Sequence, residues 1–170
     1  MYEEFANLAG AIAASLTAAS NGGAFALTFN ESRVLWSNRR IELSEPGVFV
    51  DVAPVNWEQL IESRGSWEMD CHYDVGVRKR IETADQDPAT GFGSDEEIKG
   101  LIKLLSDLLG HFLPVPPDGQ GLRFPDIPEA CWIDQPHGKT PVTIVWDDLV
   151  QLHQFTGFFP VTYRVTRDVP

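Results

Sequence analysis

The sequence predicts an α+β fold in which two main helices pack on one face of a mostly antiparallel, mixed sheet. Two stretches, 2–20 and 94–112, repeat apolar residues at spacings of three and four, as amphipathic helices do. The stretch 66–81 instead places an apolar residue at nearly every second position, which is typical of a long strand with one buried face. A chain of 170 residues fits a single domain, 1–170, with enough length for a sizeable core.

The N-terminal half is predicted to contain a helix, a strand, a turn, a second strand and a loop before the long strand. Glycine, proline and short polar residues mark the ends of these elements. The predicted bounds are 2–20 for the helix, 24–29 for the strand, 30–33 for the turn, 47–55 for the strand ended by Pro54, and 56–66 for the connecting loop.

A second helix is the most clearly marked element of the C-terminal half. Ser94 is its predicted N-cap, and Glu97 three residues later completes a capping box. The loop before it, 82–93, is rich in Asp, Gly and Thr, and a loop of this length in a compact domain is usually functional. The remaining predicted elements are an irregular Pro- and Gly-rich segment at 114–128 and strands at 129–134, 142–146 and 157–167.

The charge of the chain restricts its partners. It has 13 basic and 25 acidic side chains and a net charge of −12, so its surface should repel phosphate. Sequence-independent nucleic-acid binding is therefore not expected, because that binding depends on Lys and Arg displacing counterions. An acidic wall would, however, let DNA pass along it without sticking.

The cysteines and the N-terminus indicate where the protein is made. Cys71 and Cys131 are the only two cysteines, and both are expected to be reduced, buried thiols of an intracellular protein. Glu3 and Glu4 stand where a signal peptide carries basic residues, and the apolar run that follows is too short to span a bilayer. The expected protein is soluble, is made in the cytoplasm and has no membrane partner.

The polar residues of the long strand are the first candidate site. Asp70, His72 and Asp74 share one strand face at intervals of about 7 Å, and such residues can hold a divalent ion. No neighbouring segment shows further ligands, so a solvated face or a subunit contact is favoured. Arg78 and Arg80 point to the same face, where they could meet the carboxylates of a neighbour or simply water.

Other motifs of catalysis or metal binding are missing from the sequence. Cys71, His111, Cys131 and His137 lack the short spacings of zinc ligands. There is no G-x-S-x-G motif for a nucleophile, and the two glycines of 91–93 precede three acidic residues that would repel a phosphate. The sequence therefore predicts no catalytic residue, no metal site and no cofactor.

Four stretches together resemble the tail terminator and neck proteins of tailed phages. FALTFNESRVLWSNRRIELSEPGVFVDVAPV looks like the early region of that family, and SRGSWEMDCHYDVGVRKRI is similar to its Ser-Arg segment and the long strand that follows. SDEEIKGLIKLLSDLLGHF resembles its central helix, and QFTGFFPVTYRVTR its closing strand. The resemblance covers most of the chain in the same order, while 114–128 and 134–143 have no counterpart.

The resemblance implies structural work in the virion and no enzyme activity. Proteins of this family form a ring, usually a hexamer, on the last ring of the tail tube, where they stop tube polymerisation and present a surface to the head connector. The implied partners are other copies of this chain, the tail tube protein and the head-completion or connector protein, with genomic DNA passing through the lumen. The implied location is the tail or neck of the virion, assembled in the host cytoplasm.

The residues expected to serve assembly lie on the long strand and in the loop 82–93. They are Asp70, His72, Asp74, Arg78, Arg80, Asp85, Asp87 and Phe92. The loop is expected to contact the tube or the connector, or to become ordered on assembly. Three alternatives stay open: a different head-completion or neck protein (a stopper or an adaptor), a small divalent-metal hydrolase that uses Asp70 and Asp74, and a host-directed binding module.

Overall fold

A mixed sheet of six strands with three helices is the architecture of the described part of the chain. The computed structural model describes residues 2–29, 31–36, 43–61, 66–81, 93–113, 121–133 and 140–168. The elements, in chain order, are α1 (Tyr2–Asn21), β1 (Ser32–Val34), β2 (Val48–Ile61), β3 (Ser66–Arg80), α2 (Asp95–Phe112), β4 (Ala130–Trp132), β5 (Thr143–Ile144), α3 (Trp146–Leu152) and β6 (Gln154–Asp168). The predicted α+β class is confirmed.

Three long strands, β2, β3 and β6, form the centre of the sheet. The strand order is β1-β2-β3-β6-β4, and β5 pairs with β6 beside β4. Only β1 and β2 are parallel, and the other pairs are antiparallel, so the prediction of a mostly antiparallel mixed sheet is confirmed. The outer edge of β1 is partly closed by α1, because the Ser32 N–H donates to Thr17 Oγ1 at 2.9 Å.

The odd-numbered side chains of β3 face the helices and form the centre of the core. This confirms the buried face predicted for 66–81, whereas the opposite face is not uniformly solvent-exposed, because Asp74, Gly76 and Arg78 are buried as well. Met69, Cys71, Tyr73, Val75 and Val77 are all fully buried.

Contacts from this face of β3 reach both long helices, which places α1 and α2 on the same side of the sheet. The Tyr73 hydroxyl donates to the Phe5 carbonyl oxygen of α1 at 2.9 Å. Lys79 forms an ion pair with Glu97 of α2. The two helices also contact each other, since Ser15 Oγ lies 3.3 Å from His111 Nε2. The predicted placement of two main helices on one face is confirmed.

The strand predicted at 24–29 is absent, and the first strand instead lies at Ser32–Val34, which overlaps the end of the predicted turn 30–33. Phe25 and Phe29 are both buried and their rings stack with centroids 5.8 Å apart, so both side chains point inward. The Ser20 hydroxyl donates to the Phe29 carbonyl at 2.9 Å and accepts from the Phe29 N–H at 3.2 Å. A side chain therefore satisfies backbone groups that a strand would have paired in a ladder.

The prediction that Pro54 ends the second strand is also wrong, because β2 continues to Ile61 through part of the predicted loop. Pro54 pairs with Tyr73 and Asn56 pairs with His72, so Val55 is an extra residue on β2. Such a bulge accommodates a residue without a ladder hydrogen bond, which explains how a strand passes through a proline.

The second helix follows its sequence signals, whereas a third helix was not predicted. Ser94 accepts a hydrogen bond from the Glu97 N–H at 3.2 Å, as an N-cap does. The predicted strand 142–146 is reduced to two residues. The helix α3 then begins without a side-chain N-cap, and His153, the C-cap residue that follows it, is in the left-handed conformation. Residues 121–129, the described part of the segment 114–128 and its continuation, contain turns and one isolated bridge.

We expect Gly100→Ala to stabilise the protein by about 0.5–1 kcal/mol, because glycine weakens a helix interior. Gly100 lies within α2, and a Cβ built there meets no atom within 4 Å. Gly23→Ala is the matched control of opposite sign, since Gly23 has φ +75 and alanine is strained there. Urea denaturation followed by circular dichroism measures both, and equal signs would contradict this assignment.

Candidate assembly interface

The face of the sheet turned away from α1 and α2 carries the predicted site residues, and we call it the polar face. It consists of the even-numbered side chains of β3 and their cross-strand partners. On β3 these are Glu68, Asp70, His72, Asp74, Gly76, Arg78 and Arg80; on β2 they include Phe49, Asp51, Ala53, Asn56 and Glu58; on β6 they include Thr156, Phe158, Pro160, Thr162 and Arg164.

Acidic residues concentrate at one end of the polar face. Arg164 is directly opposite Asp70 and binds both of its carboxylate oxygens, at 2.7 and 2.9 Å. The same guanidinium lies 3.3 Å from Glu68, and Glu58 stands opposite Asp70 on the other side. Asp70 and Glu68 therefore share one guanidinium, and Glu58 adds a third carboxylate on the far side of Asp70, so the local charge is negative. Hydrogen bonding from Arg164 lowers the pKa of Asp70 below its ordinary value of 3.8.

We expect Asp70→Asn to reduce stability at neutral pH and to leave it nearly unchanged in strong acid. The pKa of Asp70 is lower in the folded state than in the unfolded state, so the contribution of this pair is present above pH 3.8 and disappears as the pH falls through the folded-state pKa. Urea midpoints of the wild type and the variant at pH 2–7 test this. Asp126→Asn is the control, since Asp126 is exposed; a difference independent of pH would contradict the assignment.

His72 is held on the polar face by a neighbouring strand. Its Nδ1 atom lies 3.0 Å from the Oγ1 atom of Thr162, and Thr162 is the residue directly opposite His72 on β6. Both Asp70 and His72 thus contact β6 side chains. In the described ranges, no three side chains of His, Cys, Asp or Glu converge as metal ligands.

Arg78 does not lie on the outer surface, which corrects its assignment to a solvent-facing positive patch. Its side chain is 5% exposed, and its Nε donates to Asp51 Oδ2 at 2.6 Å. Asp51 is opposite Gly76, so it is diagonal to Arg78 across the strand pair, within reach of a long side chain. Asp51 also accepts from Arg33 at 3.4 Å. The buried carboxylate is the physical reason that Arg78 turns inward.

The remaining predicted residues are divided between surface, interior and the undescribed ranges. Arg80 is exposed, as expected. Asp74, which lies between Ala53 and Pro160 of the neighbouring strands, is 9% exposed and is therefore not the solvent-facing residue that the alternation predicted. Asp85, Asp87 and Phe92 lie outside the described residues, as does nearly all of the loop 82–93.

The two cysteines differ in their surroundings. Cys71 is buried, as predicted, and its burial raises the pKa of the thiol to about 11. Cys131 is exposed on β4, which corrects the expectation of two buried thiols. β4 is a short strand at the edge of the sheet and pairs with β6 on one side only. Cys131 therefore has a strand neighbour on one side, and its side chain is exposed. His137, the remaining zinc candidate, lies outside the described residues.

An exposed aromatic patch is the surface feature that sequence reasoning missed. It consists of Tyr2, Trp36 and Trp57, which are 61%, 56% and 42% exposed. Phe5 connects the rings: its centroid lies 6.4 Å from that of Trp36 and 5.0 Å from that of Trp57. Trp57 fell in a predicted loop, so its position on a strand beside α1 could not be read from its neighbours.

Comparison with known proteins assigns no family to this chain. No family model matches the sequence, and no curated protein is significantly similar to it. The fold and the surface therefore define an α+β protein with a mixed sheet and one charged sheet face. Among the described helices, none is both long enough and apolar enough to cross a membrane.

Proposed function

We propose that this protein is a virion structural protein that forms a ring at the end of a phage tail tube. In this role it stops tube polymerisation and offers a docking surface to the head connector. The observation that carries the proposal is the separation of charge along the polar face. Glu58, Glu68 and Asp70 lie at one end of the long strands, and Arg33 and Arg80 lie towards the other.

Charge separation of this kind supports head-to-tail contacts between copies. When one patch of each copy binds a different patch of the next copy, the copies form a closed ring if the rotation per subunit divides a full turn. The acidic end of one polar face and the exposed Arg80 of the next copy are complementary, and such complementarity fixes register and orientation. The net charge of −12 suits a lumen that DNA crosses without adhering.

The resemblance in sequence to tail terminators supports the same function. The strands that carry it include β3 and β6, both 15 residues long, which is well above the usual five or six. Long strands give a rigid sheet on which the acidic and basic residues of the polar face are held about 20–40 Å apart. Rigid separation of two patches is what a closed ring of fixed size requires.

The experiment that tests this function combines electron microscopy of the purified protein with binding to tails. We expect closed rings, and we expect them at the ends of tails purified without heads. Binding to the head connector alone would instead favour a stopper or adaptor at another level of the neck. A protein that stays monomeric at high concentration and binds neither tails nor connectors would overturn the proposal.

We expect Arg80→Glu to weaken ring formation about tenfold in low salt, since one attractive contact becomes repulsive. Lys99→Glu is the matched control, because Lys99 is exposed on α2, away from the polar face. Sedimentation velocity at low and high salt measures both variants. If the Arg80 variant assembles like the wild type in low salt, Arg80 is not part of the contact. Arg78 is left unchanged here because its substitution affects folding.

A further inference from the structure

In the part of the chain that the structure describes, the outer edge of β2 has no paired strand along its second half. β1 pairs only with residues 50–52 of β2, and the last bond on this side runs from the Leu35 N–H to the Val52 carbonyl at 2.8 Å. Among the described residues, no strand pairs with the outer side of 53–61. Pro54 offers no N–H and Val55 forms the bulge, so the regular part of this edge is 56–61. These six residues span about 20 Å of backbone, which still matches a strand of ordinary length.

The aromatic patch borders this open edge on the helix side of the sheet. Trp57 is opposite Cys71, so its ring lies on the side of the sheet that α1 covers. Tyr2 and Trp36 lie next to it around Phe5, and Val55 is 55% exposed at the bulge. Exposed aromatic clusters are typical of the centres of protein–protein contacts. A strand added beside β2 would place every second side chain against these rings.

The opposite side of the same edge is acidic. Glu58 is exposed and has no ion pair with any described residue, and it stands directly opposite Asp70. Glu68 lies one step further along β3 on the same face. Of the described guanidinium groups, Arg164 is the one that contacts Asp70 and Glu68, at 2.7 and 3.3 Å. The side chains of an added strand that face this way would lie about 5 Å from Glu58.

We infer that residues 53–61 of β2 bind an extended strand of another protein, in which basic side chains alternate with apolar ones. The backbone of the partner pairs with the open edge, as in other cases of strand addition. Its apolar side chains pack on the aromatic patch, and its basic side chains face Glu58 and the carboxylates behind it. This inference does not depend on the proposed ring.

A second copy of this chain fits the edge less well than such a partner. Two copies of β2 paired around a two-fold axis would bring their acidic ends onto the same small surface. Like charges directly opposite each other destabilise a strand pair, and each copy carries a net charge of −12. Charge complementarity therefore favours a basic partner.

The test uses a synthetic peptide of about ten residues that alternates Lys and Val, a length set by ordinary strands. A Glu–Val peptide and a peptide with the same Lys and Val residues in two blocks are the controls. Calorimetry and tryptophan fluorescence measure binding at low and high salt. Hydrogen exchange then shows whether those backbone amides of 53–61 that point away from β3 become protected; Pro54 has none. We expect at least about tenfold tighter binding of the alternating peptide than of either control, together with protection of these amides.

Val55→Arg and Val150→Arg form the matched pair of variants. The two valines are 55% and 56% exposed, but Val150 lies on α3. We expect Val55→Arg to weaken binding about tenfold, since a charge on a strand edge blocks pairing and repels Lys. Val150→Arg should bind like the wild type, and circular dichroism establishes that both variants fold.

Three results would overturn the inference. The first is equal binding of the alternating and the block peptide, which would indicate charge attraction without strand pairing. The second is binding without protection of 53–61. The third is protection of 53–61 that rises with protein concentration in the absence of peptide, which would make a second copy the occupant of the edge. None of these results bears on whether rings form at tail ends.

Discussion

Replacing Arg78 with Met is expected to lower the free energy of unfolding by about 3–5 kcal/mol, because it leaves the buried Asp51 carboxylate without its closest partner. Asp51 and Arg78 are 3% and 5% exposed, and the bond between them is 2.6 Å long. Arg33, at 3.4 Å and 41% exposed, is a weaker substitute. For a chain of this size the melting temperature should fall by roughly 6–20 °C. Urea denaturation and calorimetry measure the two quantities.

Two further variants separate the charge pair from the loss of the side chain itself. Arg80→Met removes an exposed arginine two residues along the same strand face and should cost under about 0.5 kcal/mol. The double variant Arg78→Met with Asp51→Leu removes both charges and should be more stable than Arg78→Met alone. If Arg78→Met costs no more than Arg80→Met, the buried pair does not stabilise the fold.

Gly157→Ala is expected to destabilise the protein by about 1–3 kcal/mol through overpacking of the core. A Cβ at Gly157 would lie 2.3 Å from Leu105 Cδ1, and Leu105 is fully buried. Gly157 is opposite Val77 on β3, so the added methyl group would point towards α2. The side chain of Leu105 cannot move aside without displacing its neighbours, because cores are packed at crystal-like density. Chemical denaturation measures the loss.

The clash can be tested by removing the other partner. Leu105→Ala alone should cost about 2–5 kcal/mol as a cavity. Combined with Gly157→Ala, the total should be smaller than the sum of the two single losses, because the methyl group then occupies part of that cavity. Strict additivity would show that the two residues do not contact each other. Gly100→Ala, which adds the same methyl group in open space, should stabilise.

The parts of the fold that follow local rules could be predicted from the sequence. The alternation over 66–81 identified the buried face of β3 because strand geometry places every second side chain on one side. Ser94 identified the start of α2 because its hydroxyl satisfies a free N–H of the first turn. Each of these signals depends only on residues within one element.

The parts that depend on contacts between distant segments were missed. The alternation shows that Asp70 and Arg78 share a face, but not that Asp51 would draw Arg78 into the interior. A proline such as Pro54 usually marks the end of a strand, and only the pairing of β2 with β3 shows that the strand continues past it through a bulge at Val55. The aromatic patch brings together α1, the segment after β1 and β2, and no local pattern joins these three.

The hydrogen bond from the Ser32 N–H to Thr17 has a consequence for how the protein stays in solution. A sheet with two accessible borders can stack onto copies of itself without limit, which is the route to fibres and precipitate. Because α1 binds the outer backbone of β1 through this hydrogen bond, part of that sheet edge cannot pair with another molecule. Thr17→Val, which abolishes the acceptor while keeping the shape, should therefore increase turbidity on gentle heating before it changes the helical signal.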